Sequence, residues 1–255
     1  MIEGLGDVRL PVLDPEQERM WRLIFAVAGC LRPEKWALIG GQMVWLYAVR
    51  AGALWPRTTR DVDMLANMEL LTGNLHSCAR ALEDQGLRVR LDSSGFAYRF
   101  TDAEDGHATS LQVDLLAPDH IKDKAKLRMQ GGRAVQISGG TQALQRVEFV
   151  TVRLDTGGSA VIPVPNLLGA IVLKAAAWAA DSRERARHAQ DAALLVSLID
   201  DPSVLVGQLR GRDRGRLQRL DSELMHASAQ PWLLLGDIGA EIGHGNWREL
   251  MRLAR

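Results

Sequence analysis

The chain is short of several things, and each shortage excludes a class. It has only two cysteines, Cys30 and Cys78, in 255 residues. That is too few for a disulfide framework or a four-ligand zinc site, and it suits a reducing cytosol. Both read as small buried hydrophobes. There is no net charge: Lys plus Arg (31) equals Asp plus Glu (31). A polycation that coats nucleic acid is excluded, and so is an acidic disordered chain; any basic surface must be local. No apolar run reaches the roughly 18 to 20 residues of a membrane span. The nearest approach, Leu167 to Ala180, carries Lys174 in its middle. Glu3, Asp7 and Arg9 precede any apolar stretch, so a signal peptide is not expected. Lysine is scarce (35, 122, 124, 126 and 174), as in chains from GC-rich bacterial genomes. No repeat of about 20 to 50 residues is visible.

What is present is 47% hydrophobic residues, enough for a real core in one or two domains at about 150 residues each. Asp14-Pro15-Glu16-Gln17 reads as a helix start, followed by Trp21, Ile24, Phe25 and Ala28 at helical spacing. Trp36 to Ile39 reads as a strand stopped by a Gly40-Gly41 turn, with a helix over 42–49. Asp61-Val62-Asp63-Met64-Leu65 alternates like a strand. Asn67 is expected to cap a helix to about Gln85, ended by Gly86. Residues 87–91, 96–101 and 110–116 read as strands, with a polar turn over 102–109 between the last two. Residues 118–133 look irregular. Residues 147–154 and 159–164 suggest a hairpin around Asp155-Thr156-Gly157-Gly158. After Pro165 the pattern is purely helical, in four or five segments. The expectation is an α/β (α+β) domain over 1–164, a mixed sheet with flanking helices, followed by a helical domain over 165–255.

The chemistry is concentrated in a few of these residues. Alternation puts Asp61 and Asp63 on one face of their strand, about 7 Å apart by strand rise. Asp114, in Leu111-Gln112-Val113-Asp114-Leu115-Leu116, stands in an apolar strand where a carboxylate is costly unless compensated. Three strand carboxylates converging at a sheet edge suit two divalent ions and phosphoryl chemistry. Gly40-Gly41 at a helix start lets a phosphate approach backbone N–H groups. Singly, an Asp-x-Asp or a Gly-Gly turn is ordinary; the order of the pieces is not.

In that order the sequence resembles the nucleotidyltransferase superfamily of polymerase-beta type. The motifs are Gly40-Gly41, Arg57-Thr58-Thr59-Arg60-Asp61-Val62-Asp63-Met64 and Val113-Asp114-Leu115-Leu116. Leu167-Leu-Gly-Ala-Ile-Val-Leu-Lys174 and the later Asp191-Ala-Ala-Leu-Leu look closest to the AbiEii-type toxins of type IV toxin–antitoxin systems. The resemblance spans roughly residues 36 to 200. It implies that Asp61, Asp63 and Asp114 hold two Mg²⁺ ions and that Asp114 helps deprotonate the attacking hydroxyl. It implies that Gly40 and Gly41 seat the triphosphate of an NTP, that Lys174 binds its charge and that Asp191 orients Lys174 or the nucleotide. Thr59 and Arg60 are candidate phosphate contacts. Two features depart from the pattern: the added length of Ala51 to Pro56, and Gln42 where many members carry Ser or Thr.

Two arginine clusters, Arg183, Arg185 and Arg187, and Arg210, Arg212, Arg214 and Arg216, could bind an RNA backbone, as could Lys122 to Arg128. The bland alternative is two solvated faces. His107 and His120 lack zinc spacing, and the seven tryptophans form no base-stacking ladder. The expected protein is a cytoplasmic Mg²⁺-dependent enzyme that transfers NMP to a tRNA 3′ end, and a toxin with a cognate antitoxin. The rivals are a small-molecule nucleotidyltransferase and a non-catalytic binding module on the same fold.

Overall fold

The computed structural model describes residues 6–53, 59, 61–68, 73–102 and 111–255. Strand β1 (Asp7–Arg9) precedes helix α1 (Pro15–Cys30). Asp14 caps α1 by accepting from the Gln17 N–H at 2.8 Å, and Pro15 fills a first-turn position that needs no donor. A single 3-10 turn leads into β2 (Trp36–Ile39), and α2 (Gly40–Arg50) follows with no intervening residue. Then come β3 (Asp61–Ala66), α3 (Asn74–Asp84), β4 (Arg88–Leu91), β5 (Ala97–Thr101) and β6 (Gln112–Pro118). Short strands β7 (Arg128–Met129), β8 (Gly132–Arg133) and β9 (Val135–Ile137) lead to α4 (Gly140–Leu144). The hairpin of β10 (Val147–Arg153) and β11 (Ser159–Pro165) ends the strands. Beyond it every described element is helical: α5 (Leu167–Ala180), α6 (Arg185–Ser197), α7 (Pro202–Val206), α8 (Asp213–Leu224), α9 (Gln230–Leu233) and α10 (Gly236–Leu253).

The main sheet has the order β2-β3-β6-β5-β4, with β9 pairing the far end of β6. β3 and β6 are parallel; β2 and β5 run antiparallel to them. A second sheet, β1-β10-β11, places β1 parallel to β10. Strand alternation sorts the two faces of the main sheet. Trp36, Leu38, Val62, Met64, Val113 and Leu115 enter the large core. Ala37, Ile39 and Leu65 turn the other way, into a small cluster closed by Ala143 and Leu144 of α4 and Leu173 of α5. Asp61, Asp63 and Asp114 share that second face. Helix α5 is apolar almost all round, which marks a helix buried on every side. It packs on α6 and α8, while α6 also meets α2 and α10. The large cluster runs from Val8 to Ala254, through both the sheets and the helices.

Several expectations need correction. The three carboxylates lie on two central strands, not at a sheet edge. Helix α3 starts at Asn74, behind Gly73 in the left-handed region, rather than at Asn67. Asn67 instead donates to Glu34 O at 3.0 Å, a loop contact that no local pattern announces. Strands β1 and β9 and helix α4 were not expected, because each is too short for periodicity to register. Cys30 is exposed, whereas Cys78 is buried. The expected turn over 102–109, with His107, falls almost wholly outside the described residues.

Candidate active site

Register builds the centre. β3 and β6 pair in parallel with Asp63 directly beside Asp114, and Asp61 stands two residues back on the same face. On the other side of β3, Ile39 is the partner of Asp63, which brings the next residue, Gly40, against the Asp63 carboxylate. A methyl group at Gly40 would lie 1.7 Å from Asp63 Oδ2, and Gly40 has φ +69°. Only glycine meets both demands. Gly41 is filled in the same way by Thr59, whose Oγ1 would stand 2.1 Å from an added Cβ. The glycines therefore admit Asp63 and Thr59 to the first turn of α2, where no side chain among the described residues makes a cap. Gln42, in the position where a hydroxyl is common in the resembled family, is buried and donates to Thr59 O at 3.1 Å. It anchors the residue that Gly41 admits.

The helices bring the cations. Lys174 of α5 and Asp191 of α6 form a buried ion pair at 2.7 Å. Asp191 lies inside α6, about a turn and a half from its start. One turn earlier on α6, Arg187 Nη2 reaches Thr59 Oγ1 at 3.2 Å and Asp61 Oδ1 at 3.7 Å. From β5, Arg99 grips Asp114 with both arms of its fork, Nε to Oδ1 and Nη2 to Oδ2, each at 2.9 Å. Asp114 holds the Arg99 guanidinium proton above its ordinary range. Among the described residues Asp63 has no such partner. Burial, then the like charges of Asp61 and Asp114, raise its pKa to about 7, although Lys174 and Arg187 pull the other way. His188 lies near the Lys174 pair, 3.4 Å from Asp181 Oδ2; burial first and Lys174 second hold its pKa below the usual value.

The donor chemistry suits divalent cations: three neighbouring carboxylates, one of them short of positive charge. Among the described residues, no three His, Cys, Asp or Glu side chains yet close around a single metal position. Two of the three carboxylates are turned to arginines instead.

Arg99 carries no signal in the sequence, and Arg187, expected in an RNA-binding cluster, faces Thr59 and Asp61 instead. Nothing local marks Arg99, because its meeting with Asp114 depends on the β5–β6 register. The Arg187–Asp191 spacing of one helical turn could have tied Arg187 to Lys174. Arg60 and Thr58 lie outside the described residues. Of the other arginines, Arg183, Arg185, Arg210 and Arg212 are exposed, with Arg185 over the Trp178 ring at 5.1 Å. Arg214 bonds Ala254 O at 3.2 Å. Arg216 is 11% exposed and paired with Asp119 and Asp213, so it is not part of a solvated face. A polar cavity of about 630 Å³ opens beside it, bordered by His120, Arg146, Arg210 and Arg212.

The fold is thus a mixed α/β sheet with flanking helices, and the site is a carboxylate trio faced by cationic side chains. No family model matches the chain, and no curated protein does. A structural comparison finds it similar to an antigenic nucleotidyltransferase-like protein from Paracoccidioides brasiliensis, at 13% identity and a TM-score of 0.49. The match covers 80% of this chain and 88% of that one. No helix among the described residues is long and apolar enough to cross a membrane.

Proposed function

We propose that this chain is a Mg²⁺-dependent nucleotidyltransferase that moves NMP from an NTP to an acceptor hydroxyl. One observation carries the reading. Asp63 sits in register beside Asp114 with Asp61 on the same face, and while the outer two face arginines Asp63 is left short of balancing charge, with the Lys174 ammonium near enough to act on it. Structural ion pairs have no reason to leave a desolvated carboxylate in that position.

Asp61, Asp63 and Asp114 would hold two Mg²⁺ ions, which when bound neutralise the triphosphate and polarise the reacting oxygens. The chain itself supplies position and charge. The first turn of α2, against which Gly40 and Gly41 admit Asp63 and Thr59, would present its N–H groups to the triphosphate. Thr59, and Arg60 next to it in sequence, are the proposed further phosphate contacts. Lys174, oriented by Asp191, offers its ammonium to the same charge. The acceptor oxygen attacks the α-phosphorus in line, a P–O bond forms, the α–β anhydride breaks and pyrophosphate leaves. Asp114 takes the hydroxyl proton. In this reading residues 1–164 form the catalytic unit and 165–255 a helical unit that supplies Lys174.

RNA is the proposed acceptor, with a tRNA 3′ end as the specific candidate. The support is Arg183, Arg185, Arg210 and Arg212, exposed on a chain with no net charge. The likeness of Leu167 to Asp191 to AbiEii-type toxins adds the proposal of a cytoplasmic toxin with a cognate antitoxin. The test is incubation with Mg²⁺, each α-labelled NTP and total tRNA. Label on tRNA is expected; label on a small hydroxylated compound alone would replace the acceptor, and no transfer to anything would reject the enzyme.

A further inference from the structure

Both outer carboxylates of the trio already face a cation, and the stronger of the two contacts is unusually complete. Arg99 and Asp114 are direct partners across the antiparallel β5–β6 pair, so their side chains rise from the same face side by side. The fork-to-fork contact uses one lone pair on each Asp114 oxygen at 2.9 Å. The Asp114 side chain is 11% exposed, whereas that of Arg99 is 43% exposed and borders solvent into which it can be displaced. A second acceptor waits nearby. In the amide orientation that matches donors to acceptors, the Gln112 side-chain oxygen meets Arg99 Nε and Nη2 at 3.1 Å. At the other end of the trio, Arg187 stands 3.7 Å from Asp61.

We propose that Arg99 is a built-in counter-cation for Asp114: it holds the metal-free centre together and sets the affinity for divalent cations, because it must yield carboxylate oxygen before a cation can bind there. The inference rests on the trio being a cation site, as proposed above. A guanidinium and a divalent ion compete for the same oxygens, and their like charges repel at that distance. Gln112, which already shares these donors, remains as an acceptor when Asp114 is given up, so the exchange costs less than leaving Arg99 unpaired. A plain cross-strand ion pair would behave differently. Its loss would loosen Asp114 and weaken any cation bound there.

The experiment is Mn²⁺ binding to the full chain without nucleotide, read by electron paramagnetic resonance, with thermal melting alongside. Arg99→Gln should bind Mn²⁺ roughly tenfold or more tightly than the wild type. It should melt lower without metal and regain the loss when Mn²⁺ is added. Arg99→Lys, which keeps the charge but not the fork, should fall between the two; it also serves if Arg99→Gln does not fold. Equal or weaker Mn²⁺ binding by these variants, with the wild type binding measurably, overturns the counter-cation role and leaves the cation site standing. If neither wild type nor variants bind Mn²⁺, even with an NTP present, the cation site itself falls and the role with it.

Discussion

Strand β6 and the residue that follows it hold two acidic centres five residues apart, and they treat charge in opposite ways. At Asp119, the far end, everything is paid for. Its carboxylate accepts from the Gly139 and Thr141 N–H groups at 2.8 Å and from Arg216 at 3.1 Å. Burial pushes its proton affinity up, but the Thr141 and Gly139 bonds win and leave it below the ordinary range. Asp213, almost wholly buried, meets Arg146 at 2.6 Å, Arg216 at 3.4 Å and the Arg210 N–H at 3.0 Å. At Asp114, the near end, the neighbouring Asp63 is left with its pKa raised to about 7. A charged cluster that the fold satisfies holds elements together; one that stays in deficit is prepared for something the chain does not carry.

Substitutions at the two ends should separate these roles. The largest effect is expected at Gly40. Gly40→Ala places a methyl group 1.7 Å from Asp63 Oδ2 at a positive φ, so nucleotidyl transfer should fall by at least about 100-fold. Gly211, near the far end, also has positive φ but nothing within 4 Å of an added Cβ. Gly211→Ala should cost only about 1 kcal/mol in chemical denaturation and leave transfer unchanged. Equal losses of activity would erase the distinction. Next, Asp213→Ala leaves Arg146 and Arg216 buried without their shared partner. Denaturant unfolding should show a loss of about 3–5 kcal/mol; a loss below about 1 kcal/mol would deny the network its structural role.

The third prediction concerns pH. Below about pH 4 both folded and unfolded chains protonate Asp63. Between there and about 7, only the folded chain keeps the proton, so the metal-free protein loses stability as pH rises through this window. Raising the pKa from 3.8 to about 7 limits the loss to about 4 kcal/mol. Asp63→Asn should flatten the melting profile across this window and melt above the wild type at pH 8. A wild-type profile as flat as that of the variant would contradict the charge deficit. The smallest effect belongs to the surface. Arg210→Ser with Arg212→Ser should weaken RNA binding a few-fold and reduce its salt slope by about 2; unchanged binding would make these arginines solvent-facing only. Arg216→Glu is not a test of RNA binding, since it would break the internal network.

How much of this could be read beforehand follows from range. The Asp61–Asp63 alternation, the strand stopped by Gly40 and the lone cation Lys174 within an apolar helix are local patterns, visible in a few residues. The α1 cap at Asp14 is local as well. Arg99 is not, because its contact with Asp114 crosses a 15-residue separation and depends on strand register. Arg187 and Arg216 looked like members of basic runs, yet each points inward to a carboxylate from another element. A run of like charge states composition, not direction. The purpose of Gly40 was only half legible: close approach was expected, but the structure puts the Asp63 carboxylate there.

The central claim is that the acids of β3 and β6 form one transfer centre. Its most direct test compares the wild type with Asp63→Asn in transfer of label from an α-³²P-NTP with Mg²⁺, with melting measured on the same samples. The variant should keep its fold and lose transfer to background. Transfer at wild-type level from a folded Asp63→Asn protein would contradict the claim.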